Sequence, residues 1–455
     1  MLGMLEQNDP LHVNPALNKT IQQIEAKQAC IAIMGMGYVG LPLLSAFYQA
    51  GYSVIGFDPN QSKIDTLVKG QSYIQDVPDS QIQTMLQCSD SQSVLFTHQA
   101  SDISEADVII ICVPTPLHKS KEPDLSFILS AAEMIAKQIR AGQLIILEST
   151  TYPGTTDEIL LPMFRHSGLN PGKDFLLAFS PERIDPGNRA FQVTDIPKVV
   201  GGITELCTQT ACRLYQSVMP QVHPVSSPRV AETAKILENT FRSVNIALVN
   251  EFASICRTLD VDVWEVIEAA ATKPFGFMKF LPGPGIGGHC IPLDPHYLIW
   301  KSRLHGFEPR FMALADQINS NMPKVVVQLL MDALNDVGKA LKGSKILVLG
   351  VSYKADVDDA RESPAIQIIP LLIQKGADAS YHDPFVPVFD LDDTQLSSLE
   401  LTAESLADFD AALVLTAHQA VDYALVSRCV PLILDTRNVM RQVADEHQTA
   451  RIVYL

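Results

Sequence analysis

From residue 30 onward the chain runs as short apolar stretches separated by amphipathic ones. Cys30-Ile31-Ala32-Ile33-Met34 leads into a glycine turn, a helix-like segment, and a second apolar run ending on Asp58. That pattern predicts a βαβ unit. Further strands are predicted near Ser93–Thr97 and at Asp107–Val113, Gln143–Leu147 and Phe175–Phe179, with a helix after Asp124. Strands alternating with helices build a parallel sheet covered on both faces.

Pro228 opens a different texture. Leu237, Phe241, Val244, Leu248, Phe252 and Ile255 recur at steps of three and four, which predicts one long helix from Val230 to about Leu259. Helical patterning continues through Asp262–Ala271 and, past an intervening loop, to about Val337. Ser344-Lys345-Ile346-Leu347-Val348-Leu349-Gly350 then starts a second α/β series, with strands at Asp378–His382, Ala411–Leu415 and Pro431–Asp435. Ser363 before Pro364 fits an N-cap and first helical position. The expected fold is α/β, with two Rossmann-like parallel-sheet domains joined by a central helical domain built on one long helix. The expected boundaries are 1–28 for an N-terminal extension, 29–227, 228–337 and 338–455.

The N-terminus lacks the cationic start and apolar core of a signal peptide. No apolar run reaches the length of a membrane span, and Val108–Val113 stops at Pro114. With 455 residues and 47% hydrophobic content the chain is long enough for two or three cores. A formal net charge of -17 argues against nonspecific nucleic-acid binding, and any anionic ligand must be met by local cations. The cysteines, 8 in number, are scattered without a CxxC pair, which fits a reducing cytoplasm.

Gly35, Gly37 and Gly40 form G-x-G-x-x-G between the first strand and its helix, and Asp58 closes the second strand. Gly35 allows the tight turn, Gly37 admits a pyrophosphate to the helix N-terminus, and Gly40 lets helix and sheet pack closely. Asp58 accepts from an adenosine ribose and repels a 2′-phosphate, so NAD is expected over NADP. Thr115, Ser149, Thr150 and Glu182 stand at the carboxyl ends of other strands, where ligands bind in open α/β sheets.

The stretch from Leu281 to Pro295 holds Cys290 behind Gly283, Gly285, Gly287 and Gly288. A thiol in a stiff glycine loop is the leading candidate nucleophile. His289, Cys290, Asp294 and His296 match no standard zinc spacing, so no metal is expected. On the long helix Lys235 and Asn239 are four apart, hence on one face. Lys354, Arg361 and Arg437 lie at strand ends or strand-to-helix junctions where cations can hold phosphate.

Gly35-Met36-Gly37-Tyr38-Val39-Gly40-Leu41-Pro42, Ser180-Pro181-Glu182-Arg183, Lys235 with Asn239, Gly287 to Pro295 and Arg361-Glu362-Ser363-Pro364 together resemble the UDP-glucose/GDP-mannose dehydrogenase family over nearly the whole chain. GGHCIPLDP, ESTTYPGTT and SPERIDPGN are most similar to its UDP-N-acetylglucosamine 6-dehydrogenase branch, with UDP-N-acetylmannosamine dehydrogenases close behind. The resemblance implies NAD-dependent oxidation of a sugar-nucleotide C6 alcohol to a carboxylate through a cysteine-bound intermediate, serving surface polysaccharide synthesis. By resemblance Cys290 attacks the aldehyde, Lys235 and Asn239 stabilise the oxyanion, Asp294 and Thr150 handle a water or proton, and Glu182 is the base for thioester hydrolysis. It further implies cofactor contacts from Tyr38, Val39, Lys63, Thr115 and Arg361, and substrate contacts from Arg183, Gly287, Tyr353, Lys354 and Arg437. A cytoplasmic homodimer formed through the long helix is expected, with a UDP-sugar as partner and neither nucleic acid nor membrane. Two departures stand out: UDP-glucose enzymes carry a second glutamate where this chain has Asp185-Pro186, and an arginine lent by a neighbouring subunit is replaced at best by Lys273 or Lys279. The main rival is a two-electron dehydrogenase of the 6-phosphogluconate or β-hydroxyacid type, which needs neither the cysteine nor a second α/β domain. A non-enzymatic NAD-sensing scaffold would explain the glycine loop but not Cys290.

Overall fold

The computed structural model describes the chain except for residues 1–13, 75, 88–91, 184–194, 392–393 and 445–448. The described residues group into two compact units, one reaching to Leu237 and including His296–Lys301, the other comprising Glu238–Pro295 and Ser302–Leu455. The helix Pro228–Thr258 carries the chain from the first into the second.

The first unit is built on eight strands: β1 (Cys30–Met34), β2 (Ser53–Phe57), β3 (Val94–Thr97), β4 (Val108–Ile111), β5 (Leu144–Leu147), β6 (Leu176–Phe179), β7 (Lys198–Gly202) and β8 (Val222–Val225). They lie in the order β3-β2-β1-β4-β5-β6-β7-β8. The first six are parallel and follow the Rossmann order, whereas β7 runs antiparallel to β6 and β8 parallel to β7. Side chains alternate across the sheet. Ile31, Ile33, Val108 and Ile110 pack on one face with Leu44, Phe47 and Tyr215, and Ala32, Met34, Ile109 and Ile111 on the other with Phe164 and Phe175. Within the segment predicted as an extension, Pro15–Glu25 is a helix whose Leu17 and Ile24 are buried in that first face. Tyr52 Oη donates to its Ile24 carbonyl at 2.9 Å.

The second unit holds β9 (Lys345–Leu349), β10 (Asp378–His382), a hairpin of β11 (Val388–Leu391) and β12 (Thr394–Ser397), then β13 (Ala411–Val414), β14 (Leu432–Asp435) and β15 (Arg451–Tyr454). The sheet order is β10-β9-β13-β14-β15, all parallel. Met322, Val326, Leu330 and Leu334 of the helix Arg310–Asp336 cover the face formed by Ile346 and Val348. The helix expected after Ser363 spans Ala365–Gln374, and Ser363 Oγ accepts from the Ala365 N–H at 3.2 Å.

The long helix departs from the usual burial. Its buried residues include Glu232, Lys235, Asn239, Ser243 and Asn250 beside Ala231, Ile236, Ala247, Ala253 and Cys256, and its exposed face carries Phe241, Leu248, Phe252 and Ile255, with Leu259 just past its end. Among the described residues no helix is long and apolar enough to cross a membrane, and the described cysteines are free.

Candidate active site

Both sheets change direction of strand progression at one place, and each time a glycine marks it. In the first sheet β1 sits between β2 and β4, and Gly35 follows β1 at φ 103°. A Cβ there would lie 2.4 Å from the Cys112 carbonyl oxygen just past β4. In the second sheet β9 sits between β10 and β13, and Gly350 follows β9 at φ 86°, where a Cβ would meet the Thr416 side chain at 2.4 Å. Such switch points, at the carboxyl ends of parallel strands, are where doubly wound sheets bind ligands.

At the first of these, Gly40 opens the helix Gly40–Gln49 and Val39 flanks it. A Cβ on Gly40 would lie 1.8 Å from the Gly35 carbonyl oxygen, whereas one on Gly37 would meet no protein atom within 4 Å. The loop is therefore closed against the sheet and open where a phosphate group approaches the helix N-terminus. Asp58 is buried: Oδ2 accepts from the Met36 N–H at 3.0 Å and from Lys63 Nζ at 3.1 Å, and Oδ1 accepts from the Asn60 N–H at 2.9 Å. Tyr73 Oη donates to the Met36 carbonyl at 2.7 Å. Asp58 thus fixes the glycine loop to the end of β2. Half-buried Tyr38 lies in the same loop, and Thr115 follows β4, its carbonyl accepting from Tyr297 Oη at 2.8 Å. An open phosphate approach, a helix N-terminus and an acid at the β2 end fit NAD.

At the second switch point the loop after β9 carries Tyr353, Lys354 and Arg361. Asp383, at the end of β10, holds its start by accepting from the Val351 and Ser352 N–H groups, both at 2.9 Å. His418 Nε2 lies 3.1 Å from Asp383 Oδ2 and 3.0 Å from Ser352 Oγ, and its Nδ1 accepts from the Asp356 N–H at 3.0 Å. Arg361 forms a two-point pair with Asp359 at 2.8 and 2.6 Å. Arg437 follows β14, donates from Nε to the Leu415 carbonyl at 2.7 Å, and is lowered by burial to about 10. Its guanidinium fills the place of a Cβ on Gly283, at 2.7 Å.

The cysteine loop is seated in this second unit. Gly288 has φ 85°, donates to the Arg361 carbonyl at 3.2 Å, and a Cβ on it would strike the Tyr353 ring at 2.8 Å; one on Gly287 would meet Tyr353 at 2.6 Å. Gly287 and Gly288 are thus needed because Tyr353 lies against them. Asn250 Oδ1 accepts from the Gly283 N–H at 2.9 Å while its Nδ2 donates to Asn319 at 3.0 Å, tying the loop to two helices. Cys290 is half-buried, and its carbonyl accepts from the Asp294 N–H at 2.9 Å. Asp294 opens the helix Asp294–Leu304, and its carboxylate accepts from Asn239 Nδ2 at 2.5 Å. The His289 imidazole is held below its usual range by burial and then by the Arg361 charge, against the opposing pull of Asp359.

In the first unit Lys235 is buried on the long helix, one turn from Glu232. Glu232 accepts from the Gly154 and Thr156 N–H groups at 2.6 and 3.0 Å and from Thr156 Oγ1 at 2.7 Å, and burial raises its carboxyl despite those bonds. That pins the loop after β5, which carries half-buried Thr150. Glu182 follows β6; its Oε1 accepts from the Arg183 N–H at 2.7 Å and its Oε2 lies 3.5 Å from Lys198 Nζ. Arg183 Nη1 donates to the Pro197 carbonyl at 2.7 Å. Asp185 lies outside the described residues. Lys279 pairs with Glu268, and Lys273 sits 4.8 Å over the Phe275 ring. No cluster of three or more His, Cys, Asp or Glu side chains suited to a metal occurs among the described residues.

The structure thus brings Cys290, Asp294 and Asn239 together, gathers Gly287, Tyr353 and Arg361 beside the same loop, and places Gly35 to Gly40 with Asp58 and Lys63. Sequence reasoning missed Glu148, Lys198, Glu232 and Asn250. Only Glu148, at a strand end, carried a usable signal, because the other three occupy positions that hydrophobic periodicity treats as silent.

Three family models match the chain: the NAD binding domain of the UDP-glucose/GDP-mannose dehydrogenase family over residues 29–219, its central domain over 229–321, and its UDP binding domain over 347–442. Protein CapL of Staphylococcus aureus is 39% identical over 355 residues, 78% of this chain and 81% of that protein. UDP-N-acetyl-D-glucosamine 6-dehydrogenase of Pseudomonas aeruginosa is 36% identical, over 80% of this chain and 85% of its own. The solved UDP-D-ManNAc dehydrogenase of Pyrococcus horikoshii superposes with a TM-score of 0.84 at 31% identity, covering 93% of this chain and 98% of that one. With its dinucleotide loop, its cysteine loop and its second switch point all in that frame, the chain belongs to the UDP-glucose/GDP-mannose dehydrogenase family and is an NAD-dependent UDP-sugar dehydrogenase.

Proposed function

We propose that the protein oxidises the C6 alcohol of a UDP-N-acetylhexosamine, UDP-N-acetylglucosamine in the first place, to the uronic acid in two successive two-electron steps. UDP-N-acetylmannosamine and UDP-glucose are the alternative substrates. The observation that carries this reading is the Cys290 loop, in which Asp294 is bound both to the Cys290 carbonyl and to Asn239. A two-electron enzyme has no use for a thiol placed in that way.

Bound NAD supplies the hydride acceptor for each oxidation. In the alcohol step Asp294 and Thr150 take up the O6 proton, directly or through a water, as hydride leaves C6. The Cys290 sulfur then adds to the aldehyde carbon, and Lys235 and Asn239 stabilise the oxyanion of the adduct. Loss of the second hydride from that carbon leaves a thioester. Water attacks it, Glu182 takes the water proton, the C–S bond breaks, and Cys290 leaves as the thiolate. Lys354 and Arg437 hold the diphosphate, with Arg183, Gly287 and Tyr353 lining the sugar-nucleotide site, and Arg361 reaches the cofactor along with Tyr38, Val39, Lys63 and Thr115. Residues 29–227 form the cofactor domain, 228–337 the central domain, and 338–455 the UDP-sugar domain. The protein works in the cytoplasm as a dimer paired through its long helix, supplying precursors for surface polysaccharide.

A panel of UDP-sugars assayed for NADH tests the substrate, and the stoichiometry tests the chemistry. Two NADH per sugar are expected. Mass spectrometry of Glu182→Gln after one turnover should find the sugar-nucleotide acyl group on the Cys290 peptide. One NADH per sugar with free aldehyde as the end product, or full activity in Cys290→Ser, would place the protein in the two-electron class.

A further inference from the structure

Behind Glu182 lies a buried charged cluster that the proposed chemistry leaves unused. Lys198, the first residue of β7, is 5% exposed and its ammonium contacts Glu148 Oε1. Glu148, just past β5, is 1% exposed, and its second oxygen accepts from Tyr215 Oη at 2.7 Å. The same ammonium lies 3.5 Å from Glu182 Oε2 and 5.2 Å from the centre of the Tyr215 ring. One buried cation is therefore shared by two carboxylates, Glu148 buried and Glu182 half-buried.

A buried ion pair is a poor device for stability, because desolvation offsets much of the attraction and an apolar set of the same shape does as well or better. The arrangement calls for another reason. Burial pushes Glu148 up to about 7, the nearby Lys198 offsetting part of the effect and Glu182 adding to it. Lys198 itself is lowered by burial, yet Glu148 and Glu182 raise it further, so it stays charged. A further titratable group facing this cluster is the Cys112 thiol past β4, which burial and then Glu148 hold well above its usual value and so neutral. Of these groups only Glu182 has a part in the reaction.

We propose that Lys198 is a positioning residue for Glu182, orienting that carboxylate to take the water proton in thioester hydrolysis, with Glu148 and Tyr215 as the anchor that fixes the ammonium. The inference rests on the reading of Glu182 as the hydrolytic base. Removing the ammonium takes away a partner at 3.5 Å that sets the direction of the carboxylate, together with its charge.

Lys198→Met is expected to slow thioester hydrolysis about ten-fold or more near neutral pH, to build up the acyl adduct on the Cys290 peptide, and to move the acid limb of the kcat profile upward by ~1 unit or more, with KM for NAD little changed. Lys198→Arg should restore most of the rate and the original limb. If Lys198→Met does not fold, Glu148→Gln decides: with the ammonium no longer shared, the acid limb should move to lower pH with hydrolysis retained. An unchanged limb in a folded Lys198→Met, or in Glu148→Gln where that variant decides, overturns the inference. Should Glu182→Gln itself hydrolyse the thioester at the normal rate, the base assignment fails instead, whatever Lys198 does.

Discussion

Asn239 donates its side-chain amide to the Asp294 carboxylate at 2.5 Å, and both side chains are buried. The bond fixes which way each points, since the acceptor lies at the start of a helix and the donor in the middle of one. Asn239→Ala removes one partner of a buried carboxylate, at a cost of about 1–3 kcal/mol in stability. In the proposed chemistry it also removes an oxyanion donor, so kcat should fall by ~10²-fold with KM for NAD nearly constant. Asn239→Asp should be worse than the alanine variant, because two carboxylates would then share the space. Thermal melts with steady-state kinetics check both, and an unaltered kcat in Asn239→Ala would remove Asn239 from the reacting centre.

The glycine loop separates folding from binding. Gly37→Ala places a methyl group where no protein atom stands within 4 Å, so the melting temperature should hold while KM for NAD rises at least ten-fold. Gly40→Ala drives its methyl into the Gly35 carbonyl, 1.8 Å away, and should lower the yield of folded protein. Equal melting temperatures for the two variants would contradict this division.

How far the sequence announced all this depends on the kind of pattern involved. Inner strands of both sheets were legible because both their faces are buried, so that Val108–Ile111 and Ala411–Val414 read as short apolar runs. β7 and β8 were not, since Lys198, Gly201 and Gly202 or His223 and Pro224 do not make an apolar run. The helix Glu205–Gln216 escaped for the same reason, being rich in Thr, Gln and Cys. At the site, Cys290 and Asp58 were visible through their glycine and strand context. Glu232 and Lys198 were not, because a buried charge satisfied by distant partners leaves no local periodicity. The long helix is the instructive case: steps of three and four revealed the helix but not which side faces inward, and the buried side mixes Lys235, Asn239 and Asn250 with apolar residues while Phe241, Leu248 and Phe252 stay exposed.

Asp383 gives a pH test of the second switch point. Its carboxylate accepts from four backbone N–H groups and lies beside His418, and although burial works the other way, these hold it at about 2 against an ordinary 3.8. A depressed folded value means stability that is present above the ordinary one and is lost as pH falls through the folded one. The shift corresponds to about 2 kcal/mol. Asp383→Asn should therefore be less stable than wild type by about that amount at pH 7, with the gap closing between pH 4 and 2 in urea titrations. A gap that persists unchanged at pH 2 would mean that packing, not charge, holds the loop.

The exposed seam of the long helix carries the last prediction. Phe241, Leu248, Phe252, Ile255 and Leu259 follow one another at steps of seven, four, three and four, the spacing of a helix-pairing seam, and Leu248 and Leu259 are 57% and 65% exposed. Isolated apolar side chains on a surface need no explanation, but a continuous stripe of this length does. The opposite face cannot exchange roles with it: Asn250 and Asn319 bond to each other there, and Asn319 donates to the Ser243 carbonyl at 3.0 Å. With that face buried inside the unit, the apolar stripe stays exposed, and the dimer proposed above would bring identical seams together by a two-fold pairing. A stable pair needs roughly 1,600 Å² of buried surface, which a helix of this length can anchor but not complete alone, so Phe280, whose ring lies 5.9 Å from that of Phe241, should join it. Leu248→Glu with Phe252→Glu should halve the mass seen by sedimentation without unfolding the chain, because neither residue is buried in the single copy. A wild-type protein already monomeric at micromolar concentration would refute the pairing, as would a double variant that keeps the wild-type mass.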